Sequence, residues 1–178
     1  TYYYKYTTPS GYQTLSERVC EDASIYLVTN KVFKNIHSTD GGGALYDTDG
    51  NLHCDVTSDF INNSSEDYGG AILNGEGSIN DITGVFINNS SKSFGGAIYS
   101  NSDLVNITAD FISNSVTRID SYVAEGGAIH TAYQLGAISG NFVGNYVVAS
   151  KGALGGAVYS ESTITNLTGK FIGNYARS

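Results

Sequence analysis

The chain has 178 residues, 40% hydrophobic and 15% charged, with 22 glycines and a single proline. That apolar share excludes a disordered segment, and no run approaches the length a membrane-spanning helix needs. A net charge of −8 with only nine Lys and Arg leaves no basic stripe for nucleic acid.

Residues 1–31 are a Tyr-rich segment, with Tyr2, Tyr3, Tyr4, Tyr6 and Tyr12, and they follow none of the patterns seen later. Terminal repeats are normally atypical and an uncapped column end invites edge-to-edge association, so a cap is the favoured reading and a flexible terminus the other. The chain starts at Thr1 without a signal peptide and stops inside a repeat, as a mature fragment or an expressed piece of a longer protein does. Cys20 and Cys54 are the only cysteines. Either they pair and staple the N-terminal segment to the first full repeat, or they stay unpaired as small apolar residues. No further ligand joins them at zinc spacing, so neither a metal nor a cofactor is expected.

Residues 32–178 form a single repeat domain. Gly-Gly-Ala followed by Leu, Ile or Val occurs five times, beginning at Gly42, Gly69, Gly95, Gly126 and Gly155. Alternating with it runs Phe-x-x-Asn, at Phe60/Asn63, Phe86/Asn89, Phe111/Asn114, Phe142/Asn145 and Phe171/Asn174. A degenerate sixth copy precedes these at Val32-Phe33, with Asn35 one position early. Self-similarity at this period marks a solenoid.

Four residues before each Phe stand Val56, Ile82, Ile107, Ile138 and Leu167, and two before it Ser58, Gly84, Ala109, Gly140 and Gly169. Thr57, Thr83, Thr108, Ser139 and Thr168 are interleaved, followed by Asp59, Val85, Asp110, Asn141 and Lys170. This period-2 alternation predicts a half-buried strand with the Phe and Ile columns inside. A second short strand is expected after each Gly-Gly-Ala, with Leu45, Ile72, Ile98, Ile129 and Val158 inward and Tyr46, Leu73, Tyr99, His130 and Tyr159 outward. The paired glycines fit a tight corner or a close approach of neighbouring coils.

Successive Phe residues are 26, 25, 31 and 29 apart, whereas the second glycine leads Phe by 17, 16, 15, 15 and 15. Length variation therefore concentrates in 115–125 and 146–154, expected as loops at one corner of the coil. Stacking one set of strands per repeat at roughly 4.8 Å predicts an all-β fold, a right-handed parallel β-helix of five to six coils. Phe60, Phe86, Phe111, Phe142 and Phe171 then form a ring ladder, and Asn63, Asn89, Asn114, Asn145 and Asn174 an amide ladder that also bonds the backbone of its own turn.

Chemistry is sparse. Asp59 and Asp110 share an outward column, but two coils of separation puts them about 9–10 Å apart, at the wide limit for a glycosidase pair. They read as solvated, and no enzyme activity is expected. Asp47-Thr48-Asp49-Gly50-Asn51 lacks the remaining ligands of a calcium loop and reads as an Asp-Gly turn. His37, His53 and His130 fall in different coils and are taken as surface residues. The Asn-x-Ser/Thr triplets at Asn62, Asn63, Asn88, Asn89, Asn106 and Asn166 are discounted as glycosylation sites in a chain this rich in those residues. Tyr46, Tyr99 and Tyr159 are the candidate ligand-facing residues, being outward aromatics of a kind interfaces favour.

The paired motifs, together with strings such as Ile107-Thr108-Ala109-Asp110-Phe111-Ile112, resemble the repeats of the chlamydial polymorphic membrane proteins and other autotransporter passengers. The resemblance implies a β-helix displayed at the cell surface or outer membrane, or secreted after cleavage, and exported through a C-terminal barrel. It also implies a role in adhesion or as a display stalk, toward a host-cell protein or glycan or a neighbouring passenger domain. The alternatives are a carbohydrate-active β-helix that binds or cleaves polysaccharide, a plain spacer, and an ice-binding face built on the Thr column. The mixed column beside the threonines argues against the last.

Overall fold

Alternating large and small inward residues ahead of each Phe shape one long strand per coil. The computed structural model describes residues 4–8, 11–15, 28–47 and 55–178, with backbone alone for 4–8, 11–15 and 28–31. The long strands Val28–Lys34, Val56–Ile61, Ile79–Ile87, Leu104–Ile112, Leu135–Val143 and Ile164–Ile172 form one six-stranded parallel sheet, the first face. Phe33, Phe60, Phe86, Phe111, Phe142 and Phe171 fall in one register column. The degenerate first coil is therefore a true member of the stack. The Cys20–Cys54 pairing, His53 and the Asp-Gly turn beyond Asp47 lie outside the described residues.

Each long strand ends at a left-handed residue: Asn35, Asn62, Asn88, Ser113, Gly144 or Gly173. This explains the apparent misplacement of Asn35, which fills the turn position while Ile36 takes the ladder position. A second face follows at once, built from His37–Ser38, Ser64–Ser65, Ser90–Ser91, Ser115–Arg118, Tyr146–Ala149 and Tyr175–Arg177. The Gly-Gly-Ala strands Leu45–Asp47, Ile72–Asn74, Ile98–Ser100, Ile129–Thr131 and Val158–Ser160 make the third. Each coil thus has three faces where two strands were expected.

The segments expected as loops at 115–125 and 146–154 are also largely strand. Beyond the second-face strands they contain Val123–Glu125 and Gly152–Leu154, paired parallel as a small extra sheet. Their additional length carries its own apolar content: Val116, Ala124, Val147 and Ala149 are buried together as a satellite cluster beside the main core. Within residues 1–31, Tyr4–Thr8 and Gly11–Leu15 pair as an antiparallel hairpin, with its first strand beside the first coil's short strands.

The core is a column of stacked identical residues. Phe60, Phe86, Phe111 and Phe142 are wholly buried, with ring centroids 4.8 Å apart at interplanar angles of 9–10°. Each ring contributes about 1.5–3 kcal/mol through burial, and its stacking adds about 0.5–1.5 kcal/mol. A third inward column, Ile79, Leu104 and Leu135, extends the core toward the start of the strands. In the last coil described, Phe171 and Leu167 are 44% exposed.

The expected amide ladder forms, but its bonds to the backbone differ from expectation. Asn89 Nδ2 donates to the Phe60 carbonyl of the coil before and to Asn114 Oδ1 of the coil after, each at 2.9 Å. Asn114 Oδ1 also accepts from the Asn89 backbone N–H at 3.0 Å. The same set recurs at Asn63, Asn114 and Asn145, so the amides join neighbouring coils instead of closing their own turn.

The two glycines of each corner do separate jobs. The first is left-handed, with φ of +59 to +68° at Gly42, Gly69, Gly95, Gly126 and Gly155. The second admits the neighbouring backbone: a Cβ at Gly96 would stand 2.1 Å from the Gly127 carbonyl oxygen.

Candidate functional site

Because the repeat motifs are buried, any site must be built from what they leave outside. Among the described residues, two places bring chemically diverse side chains together.

The first is a groove of about 720 Å³ along the second face, lined by the serine rows and by His37, Glu66, Lys92, Arg118 and Asp120. Two-residue strands here place successive polar side chains one coil apart. His37 Nδ1 lies 2.9 Å from Ser64 Oγ, and Glu66 pairs with Lys92 from the next coil. The Lys92 hydrogen bond holds the Glu66 carboxyl below its usual range. The extra length in coil four forms the groove's far wall. Arg118 Nε donates to Asp120 at 2.6 Å, its Nη1 reaches the Val123 carbonyl, and its guanidinium lies over the Tyr122 ring at 4.9 Å. Ile119 and Tyr122 stand out beside it, 89% and 64% exposed. The wall is a fixed cation with an exposed apolar and aromatic rim.

The second place lies around the glycine corner. Tyr68, Phe94, Glu125 and Leu154 each precede a corner's first glycine and share one register column. Opposite stands the column of Tyr46, Leu73, Tyr99, His130 and Tyr159. Rings pack between the two columns, Tyr68 on Tyr99 at 4.8 Å and Phe94 on His130 at 5.0 Å, and along the second, His130 on Tyr159 at 5.2 Å. Such contacts cover the outer column. Tyr46, Tyr99 and Tyr159, read as outward and ligand-facing, are all half-buried, and Leu73 is buried. Tyr99 and Tyr159 are brought together on the two sides of His130, while Tyr46 sits coils away.

His130, taken from sequence as a surface residue, is only 2% exposed. Its Nε2 lies 2.9 Å from Glu125 Oε2 and 3.7 Å from Glu161 Oε1 of the next coil. Burial lowers the imidazole pKa from 6.5 to about 4. The ring is thus neutral near pH 7, and the shorter contact is a hydrogen bond rather than an ion pair. Burial first, and the Glu161 charge second, push the Glu125 carboxyl upward. The sequence does carry a signal for this cluster, since Glu125 and His130 are the polar breaks in two otherwise mostly apolar columns.

Asp59 and Asp110 are not the solvated carboxylates expected. Both are half-buried and accept from the next coil's backbone, Asp59 from Val85 N at 3.2 Å and Asp110 from Asn141 N at 2.9 Å. Their lone pairs satisfy the sheet where strand pairing is interrupted at and after the small-residue column. The Thr column does face out, with Thr83 Oγ1 3.0 Å from Thr57 Oγ1.

The Chlamydia polymorphic membrane protein repeat model matches residues 57–75 and 83–101. Each matched stretch begins in a first-face strand, passes through Phe-x-x-Asn and the glycine corner, and ends just after the third-face strand. The repeat resemblance read from the two motifs therefore holds at two successive coils. No curated protein and no solved structure matches the chain. Among the described residues, no helix is long and apolar enough to cross a membrane.

Proposed function

We propose that this chain is a segment of a surface-displayed bacterial passenger that acts in adhesion, without catalysis, and that the second-face groove is its contact surface. The observation that supports this most is the two-coil match to the polymorphic membrane protein repeat, set in a stack whose repeat residues are consumed by structure. Binding then falls to the groove, where Lys92, Arg118, Ile119 and Tyr122 offer a cation pair beside an apolar rim. Interfaces favour such Arg and Tyr anchors within a polar surround. The partner is a host-cell glycan or protein, or a neighbouring passenger domain.

The test is binding of chain-coated beads to cultured epithelial cells, with soluble chain as competitor and an unrelated β-solenoid as control. Saturable, competed binding that falls about tenfold in K92E/R118E at unchanged Tm is the expected result. Binding no greater than the control, or equal for the double variant, rejects the groove-mediated adhesin. Glycosidase or protease treatment of the cells then distinguishes glycan from protein.

A further inference from the structure

We propose that Glu125, His130 and Glu161 form a site for one divalent transition-metal ion, Zn²⁺ by preference, clamping the fourth coil to the fifth. The three donor atoms lie within 4.8 Å of one another, with His130 Nε2 at 2.9 and 3.7 Å from the two carboxylate oxygens. A tetrahedral ion with bonds of about 2.1 Å holds its donors about 3.4 Å apart, inside that range. Small side-chain movements therefore close the site around an ion.

Four features favour a metal over a plain hydrogen-bonded corner. His130 interrupts an aromatic column that is Tyr in the coils on either side, at Tyr99 and Tyr159. Packing alone is served by tyrosine, whereas the imidazole leaves its buried Nδ1 without a hydrogen-bond partner. Glu125 likewise stands where Tyr68 and Phe94 place rings, so the two breaks in the columns coincide in space. Two carboxylates also converge there on one imidazole nitrogen, at 2.9 and 3.7 Å, and among the described residues neither forms a salt bridge with a Lys or Arg. A cation is the missing counter-charge.

The donor set narrows the ion. One imidazole with two carboxylates suits borderline ions such as Zn²⁺, and the imidazole disfavours Ca²⁺ and Mg²⁺, which take oxygen ligands. Stacking on Phe94, Tyr99 and Tyr159 holds the ring in place, a role that a hydrogen bond to the second ring nitrogen usually fills at metal-bound histidines. Glu161 is half exposed, so the fourth position opens to water. The site does not depend on what the groove binds.

Titration calorimetry of the full chain with Zn²⁺, together with Co²⁺ absorption spectra, tests the site. One saturable equivalent per chain is expected, with Tm rising as Zn²⁺ is added and a tetrahedral Co²⁺ spectrum lacking a thiolate charge-transfer band. E161Q, at an exposed position, weakens binding at least tenfold. H130Y, which restores the residue of the flanking coils, abolishes it, and H37N leaves it unchanged. Absence of a saturable equivalent, a thiolate band that assigns the ion to Cys20 and Cys54, or E161Q and H130Y binding as tightly as the parent overturns the proposal.

Discussion

Asn89 Nδ2 donates to Asn114 Oδ1 at 2.9 Å, and Asn114 Nδ2 passes the same bond on to Asn145. Both amides are wholly buried, and Asn114 also accepts from the Asn89 N–H and donates to the Phe86 carbonyl. Replacing Asn114 by Ala leaves the Asn89 N–H and the Phe86 carbonyl without this partner, each at about 1–3 kcal/mol, so a loss of about 2–6 kcal/mol is expected in urea unfolding. Asn114→Asp keeps the shape but turns an acceptor toward two acceptors. Burial, together with the two acceptors that face the second oxygen, raises that carboxyl above its unfolded pKa, so the variant gains stability as pH falls through the raised value, unlike Asn114→Ala. Denaturation midpoints at pH 4 and pH 7 check the sign.

The glycines of the corner and those of the Asn turn should respond very differently to substitution. A methyl at Gly96 meets backbone on both sides, the Gly127 oxygen at 2.1 Å and Ser115 N at 2.6 Å. Gly96→Ala is expected to cost more than about 4 kcal/mol, in the range reserved for core overpacking and backbone strain. At Gly144 the nearest atom is Ser113 Oγ at 3.7 Å, and Asn62 and Asn88 occupy the same turn position in other coils. Gly144→Asn should stay within about 0.5 kcal/mol of the parent by thermal melting.

Ser113 offers the reverse case. It holds a φ of +55° at the position where its counterparts are Asn or Gly. Left-handed backbone costs a residue of this kind about 1–2 kcal/mol, so Ser113→Gly or Ser113→Asn should stabilise the chain by about 0.5–1 kcal/mol. A rise in Tm is the readout, and no change would show that the turn is not strained.

Removing a ring from the middle of the stack should matter more than removing one from its end. Phe111 is fully buried between Phe86 and Phe142, whereas Phe171 is 44% exposed. Phe111→Ala is expected to cost about 3–5 kcal/mol and Phe171→Ala less than half of that, compared by chemical denaturation.

Arg118 fastens the groove wall without carrying the fold. Its contacts to Asp120, Val123 and Tyr122 lie near the surface, where ion pairs contribute about 0–1 kcal/mol. Arg118→Ala should leave Tm within about 3 °C while speeding proteolysis at Ile119–Tyr122. Limited digestion with chymotrypsin reads the difference.

What the sequence revealed follows from where identical residues repeat. The Phe and Asn columns were legible because a stacked strand puts like over like. The second face was not: Ser64–Ser65 and Ser90–Ser91 offer two polar residues and no alternation to read. The strands at Val123–Glu125 and Gly152–Leu154 were hidden by length variation, although Val116, Val147, Ala124 and Ala149 supplied their apolar content. His130 was misread because alternation predicts direction relative to its own sheet. Its burial comes from Phe94, Glu125 and Tyr159, on a different column or a different coil.

The amide ladder has a consequence for how such a chain can change over generations. Every interior amide presents the same donors to one side and the same acceptors to the other, so the top of any coil fits the bottom of any other. Duplicating or deleting one coil, or exchanging coils by recombination between similar stretches of gene, meets a ready-made joint. The reach of the molecule thereby becomes a quantity that unequal crossing-over can adjust one rung at a time.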